Sequence, residues 1–265
     1  MSAYNPHPGS SPLWSWLSGV SPVTESLLWC HTTDAFRLRS LIKTGVLSVN
    51  HCKVLDEDLL YFFYGRPAFR RDEDEQLRLT SKSPVVIVLK TEIVAKGLRM
   101  FPFDSGAFQT GRYQNWIHSG MTLADFQLAQ SSEAPQRCIS AFFGSSNKYL
   151  RLEGQKPSLP YAGEFEVESL VALFNDPDAT TADDRRLAVE LQIGLSIPFD
   201  DTTIAALLIP DELKATEWMT TFSAGPGSGV TLIDYERGTL RKAGDYQVLL
   251  EDKVKAVQKQ LGLIA

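Results

Sequence analysis

The sequence predicts an α+β fold, and three observations carry that expectation. Short apolar or β-branched runs recur at 26–31, 59–64, 85–89, 170–174, 187–193, 204–209 and 230–235, the signature of buried strands. Stretches of helical periodicity follow Asp34 and occupy about 121–150, 211–220 and 245–261. The helices are grouped between strands instead of alternating strictly with them, and no convincing G-x-G-x-x-G is present, which argues against a doubly wound dinucleotide domain.

Each element has a local reason. Residues 26–31 (Ser-Leu-Leu-Trp-Cys-His) form an apolar run, and Thr32, Thr33 and Asp34 then supply helix N-cap chemistry. Ala35, Leu38, Leu41 and Ile42 share one helical face, and Gly45 stands where a left-handed C-terminal residue belongs. His31 therefore sits at the hinge of a strand–helix unit. The aromatic run 59–64 ends at Gly65-Arg66-Pro67, where glycine permits a turn and proline cannot donate to a ladder. Residues 85–89 are fully apolar, as central strands are. At the end of the chain Val248, Leu249, Val254, Val257 and Leu261 mark an amphipathic stripe.

The bulk numbers narrow the function classes. With 265 residues, 43% hydrophobic and 22% charged, the chain can bury a substantial core. No linker-like composition interrupts 26–265, which is expected to be one domain; residues 1–25, rich in Ser, Pro and Gly, read as an arm anchored only by Leu13, Trp14, Trp16 and Leu17. No signal-peptide pattern or membrane-length apolar run occurs, and three widely spaced cysteines do not suggest a disulfide framework, so a reducing, cytoplasmic setting without membrane partners is expected. The net charge of -6 argues against a general nucleic-acid binder, although Arg66, Arg70 and Arg71 form a local basic cluster. Cys30-His31 and His51-Cys52 are adjacent pairs whose side chains point to opposite faces of a strand, so no metal centre is expected. Gly225-Pro226-Gly227-Ser228-Gly229 lacks the Lys-Ser/Thr ending of a phosphate loop and reads as a connection.

Three separated patches nonetheless occur in a suggestive order. Leu28-Trp29-Cys30-His31-Thr32-Thr33, with Leu41-Ile42 and Gly45-Val46-Leu47 after it, resembles the first motif of the ADP-ribosyltransferase superfamily in its His-Tyr-Glu branch, departing from it in carrying Thr32 where the poly(ADP-ribose) polymerases have Gly. Leu60-Tyr61-Phe62-Phe63-Tyr64-Gly65-Arg66-Pro67 is similar to the second, an aromatic strand whose Tyr lines the nicotinamide pocket. Tyr61 matches best and Tyr64 competes with it, since a shift of one residue exchanges their faces. Arg185-Arg186-Leu187-Ala188-Val189-Glu190-Leu191-Gln192 looks like the third, a late strand carrying the catalytic Glu.

The resemblance covers about half the chain and implies a split-sheet core and a site for NAD as substrate. It puts NAD binding on His31, Thr32 and Thr33, the nicotinamide wall on Tyr61 or Tyr64, and stabilisation of an oxocarbenium-like transition state on Glu190. Arg66 and Arg70 are candidates for the pyrophosphate, because guanidinium forks match phosphate oxygens. By period two, Glu190 and Gln192 share a face while Val189 and Leu191 point to the core. Arginine-directed members carry a second Glu two positions earlier; Ala188 stands there, which weighs against an arginine acceptor.

What is expected is therefore a mono-ADP-ribosyltransferase acting on a macromolecule, protein or nucleic acid. By analogy with compact members of the superfamily, a bacterial toxin or anti-phage role fits, with an antitoxin or other partner protein. The alternatives are a binding module of the same fold without turnover, an NAD glycohydrolase, or an RNA 2′-phosphotransferase. The segment Phe101-Pro102-Phe103-Asp104-Ser105-Gly106 has no family role, and Asp104 is expected to pin a turn.

Overall fold

The computed structural model describes residues 10–68, 74–176, 185–238 and 242–264. Its strands are β1 (Trp29–Asp34), β2 (Val46–Leu47), β3 (Asn50–Cys52), β4 (Glu57–Tyr64), β5 (Pro84–Leu89), β6 (Arg99–Phe101), β7 (Glu190–Ile193), β8 (Ile197–Pro198), β9 (Ile204–Pro210) and β10 (Thr231–Tyr235). Its α-helices are α1 (Pro12–Leu17), α2 (Ala35–Thr44), α3 (Ser105–Gln109), α4 (Leu123–Phe126), α5 (Glu133–Phe142), α6 (Ser146–Leu150), α7 (Phe165–Phe174), α8 (Glu217–Ala224) and α9 (Ala243–Gln260). The central sheet runs β10-β9-β5-β1-β4-β7-β6, with β3 hydrogen-bonded to β4 beside that path and β2-β8 forming a separate pair. Apart from the parallel β9–β10 pair every neighbour is antiparallel, so the molecule is a mixed α+β fold with a mostly antiparallel sheet and flanking helices.

The strand–helix unit forms, but its strand lies three residues later than expected: Thr32 and Thr33 continue β1 against Val86 and Val85 of β5, so His31 lies inside the strand and Asp34 alone caps α2. Asp34 ends β1 in extended backbone and its carboxylate accepts from the Arg37 N–H at 2.8 Å, which supplies one of the donors a helix start leaves open. Gly45, at φ 68°, closes α2 with its N–H on the Leu41 carbonyl. Gly65 ends β4 at φ 70°; a Cβ there would sit 2.5 Å from Leu27 Cδ1, so both the backbone and the packing require glycine.

Two apolar layers sandwich the sheet. Trp29, Ile87, Leu89, Phe62, Tyr64, Leu191 and Ile193 enter the larger core, together with α5 and α7. Leu28, Cys30, Val86, Val88, Ala206 and Leu208 face the other way and are covered by Tyr246, Leu250, Val254 and Val257 of α9. Each fully buried aliphatic side chain contributes roughly 1.5–3 kcal/mol. Alternation along β1 thus sends Cys30 into the α9 layer, away from its neighbour His31.

Three expectations need correction here. Residues 170–174 are not a strand but the end of α7, because Val167, Leu170, Leu173 and Phe174 are buried at helical spacing. Residues 10–17 are not a loosely held arm: Leu13, Trp16 and Leu17 are buried in the larger core, and Ser11 Oγ donates to the Gln127 carbonyl at 2.6 Å. The α9 stripe runs through Ala243, Tyr246, Leu250, Val254 and Val257, while Val248 and Leu261 are 55% and 51% exposed. Among the described residues no helix is long and apolar enough to cross a membrane.

Candidate functional site

The site arises where the sheet opens. β1 pairs with β4 only at Trp29–Tyr64 and Cys30–Phe63, then follows β5 alone as far as Asp34. β4 meanwhile runs on with β7, through the pairs Phe63–Glu190 and Tyr61–Gln192. The gap so left is a cleft of about 430 Å³, within the usual range for a small-molecule site.

His31, Tyr61 and Glu190 all line this cleft. By strict alternation His31 leans toward Phe62, its ring 5.6 Å from that ring, whereas Tyr61 and Glu190 share the opposite face. The three meet because His31 lies past the last β1–β4 pair and spans the gap. Its Nδ1 is 2.9 Å from the Tyr61 carbonyl oxygen. A carbonyl only accepts, so Nδ1 carries the proton and Nε2 keeps its lone pair. Burial lowers the His31 pKa, which keeps the ring neutral at pH 7.

Among the described residues Glu190 is the least exposed Asp, Glu, Lys or Arg, with 1% of its surface exposed. Ser105 Oγ donates to its Oε1 at 2.6 Å and Gln192 Nε2 donates to the same oxygen at 2.9 Å; the Gln192 amide also donates to Ser105 Oγ at 2.7 Å. Burial pushes the Glu190 carboxyl up to about 8, and the neighbouring Asp104 pushes in the same direction, against the hydrogen bonds from Ser105 and Gln192. Asp104 reaches the cleft by capping α3, where its Oδ1 accepts from the Ala107 N–H at 2.9 Å and its Oδ2 pairs with Arg185 Nη1 at 2.7 Å.

The remaining wall comes from Thr32, Thr33, Arg37, Cys52 and Phe63. Two hydroxyls in it, Tyr61 Oη and Thr32 Oγ1, are buried without a hydrogen bond of good geometry. The Cys52 thiol is a weak partner of the Tyr61 hydroxyl, and burial raises this phenol well above its ordinary range.

Not every expected residue arrives. Tyr64 points into the larger core, its ring tilted against Trp29 at 4.9 Å between centroids, with its hydroxyl accepting from the Leu27 N–H at 2.8 Å. Its parity with Phe62 decides this, since alternation gives the cleft to Tyr61 and Phe63. Arg66 is buried and pairs with Glu251 of α9 at 2.6 Å, and it is not part of the cleft wall. Arg70 lies outside the described residues. The guanidiniums on the cleft are instead Arg37 and Arg185. Asp104 and Ser105, in the segment that had no family role, are brought against Glu190 by the α3 N-cap, where Asp104 pins the turn as expected. No protein-family model matches the chain, and no curated protein matches it in sequence.

Proposed function

We propose that the chain is an ADP-ribosyltransferase-like protein that binds NAD as substrate in this cleft and transfers ADP-ribose to a macromolecular acceptor. The convergence of His31, Tyr61 and Glu190 on one cleft, from three distant parts of the sequence, carries the reading. The parting of β1 from β4 suits a split-sheet core of that family. Tyr61 and Phe63 offer an aromatic wall for nicotinamide, and the hydroxyls of Tyr61, with only the weak Cys52 thiol beside it, and of Thr32, with no hydrogen-bond partner among the described residues, offer hydrogen bonds to a ligand. Arg37 and Arg185 suit a pyrophosphate, replacing Arg66 in that role. Glu190, once ionised, stabilises positive charge developing on the ribose; Ser105 and Gln192 hold its Oε1 in place.

Nicotinamide release from NAD by the wild type and by Glu190→Gln tests this directly. The amide keeps the shape but cannot become an anion, so release should fall by roughly 100-fold or more, as loss of one electrostatic group does. Equal turnover would remove Glu190 from the chemistry. One observation favours a second reading, a module that binds NAD without turnover: burial keeps Glu190 protonated at neutral pH, and a neutral carboxyl stabilises a cation poorly. Calorimetric NAD binding without nicotinamide release at any pH would select it. Labelled NAD incubated with candidate protein and nucleic-acid acceptors separates transfer from hydrolysis.

A further inference from the structure

A wider groove of about 730 Å³ lies between the 116–125 segment and the start of α7. Its apolar part is Trp116, Met121 and Phe165, and Phe165 is 63% exposed although it opens a helix whose next apolar positions are buried. Its polar part is Asp125, Glu166 and Glu168 with His118 and Ser169, and among the described residues no Lys or Arg lines it.

The positions of two of the three carboxylates are fixed by neutral donors. Asp125 accepts from the Thr122 N–H at 2.7 Å and from its hydroxyl at 3.0 Å, and Glu168 accepts from the Gly163 N–H at 3.2 Å. None of the three forms an ion pair among the described residues. The groove therefore sets three carboxylates that have no ion-pair partner among the described residues beside a solvent-facing aromatic, which is the chemistry that takes up a cation beside an apolar group. A phosphate backbone meets repulsion here, and the volume exceeds what one side chain fills.

We propose that this groove binds a basic, amphipathic segment of a partner protein. Its Lys or Arg side chains meet Asp125, Glu166 and Glu168, and an apolar side chain between them packs on Phe165 and Met121. Nothing in this depends on NAD, because the groove does not share a lining residue with the cleft.

Fluorescence anisotropy with a labelled hexapeptide alternating Arg and Leu tests it on the full chain. The wild type should bind this probe, with affinity falling as salt rises. The double variant Glu166→Gln, Glu168→Gln should weaken binding by about fivefold or more, and Phe165→Ala should weaken it at high salt as well as low. All three positions are at the surface or its edge, and circular dichroism checks that the variants keep the fold. Binding that is absent at about 1 mM, unchanged in every variant, or matched by a Glu-Leu peptide or a single-stranded oligonucleotide overturns the proposal. Nicotinamide release in the same variants should stay at the wild-type level.

Discussion

The buried carboxyl of Glu190 makes stability depend on pH in a direction opposite to the usual salt-bridged acid. Folding raises its pKa from 4.5 to about 8, so the folded state keeps the proton that the unfolded chain releases. Stability from this group is complete below pH 4.5 and is lost progressively as pH rises toward 8. At about 1.4 kcal/mol per pH unit across that window the loss is about 5 kcal/mol, comparable with the whole stability of many domains. His31 acts oppositely, since its lowered pKa favours the neutral folded form as pH rises toward 6.5, so the wild-type profile alone mixes the two. Glu190→Gln separates them, because the amide retains an acceptor for Ser105 and Gln192 and does not titrate. Urea unfolding followed by the fluorescence of the 5 tryptophans, at intervals from pH 5 to pH 9, measures the difference. The variant should match the wild type near pH 5 and exceed it by several kcal/mol near pH 9. A wild-type-to-variant difference that does not change with pH would refute burial of an ionisable carboxyl as the cause.

Other consequences follow from the same geometry. If the carboxylate is the working form, kcat/KM for nicotinamide release rises with pH to a midpoint of about 8, and kcat has a lower midpoint because the positively charged nicotinamide ring favours the anion; a flat profile contradicts this. Asp104→Asn keeps a good N-cap residue but removes the charge beside Glu190, so the kcat/KM midpoint should move to lower pH, at about 1–2 kcal/mol of stability for the lost Arg185 pair. Tyr64→Phe strands the Leu27 N–H and should cost about 1–3 kcal/mol in chemical denaturation without changing NAD affinity, whereas Tyr61→Phe should weaken NAD in calorimetry and leave stability nearly unchanged. The reverse pattern would exchange the roles of the two tyrosines.

Much of the site was legible in the residues, and what was not depends on long-range register. The start and end of α2 follow from Asp34 and Gly45, whose effects are local, whereas Thr32 and Thr33, which look like cap residues, belong to β1, held there by β5. The choice between Tyr61 and Tyr64 was not available locally, because aromatics occupy both faces of β4; the pairing of Phe63 with Glu190 and Tyr61 with Gln192 resolves it, and those partners are more than a hundred residues away. Residues 170–174 look strand-like because five apolar residues in a row erase the period, yet Val167 and Leu170 upstream already keep helical spacing with Leu173 and Phe174. The Arg66–Glu251 pair illustrates a further limit: an arginine next to a candidate motif was drawn to a carboxylate on α9 that the motif does not contain. Ser105 is a comparable case, since nothing in its own neighbourhood announces that β6 and β7 will bring it to Glu190.

A crystal structure with a non-hydrolysable NAD analogue is the sharpest test of the proposed binding site. The nicotinamide is expected against Tyr61 and Phe63, the adjoining ribose within hydrogen-bond distance of Glu190, and the pyrophosphate near Arg37 or Arg185. An analogue bound outside this cleft, or one in the cleft with its nicotinamide ribose turned away from Glu190, would contradict it.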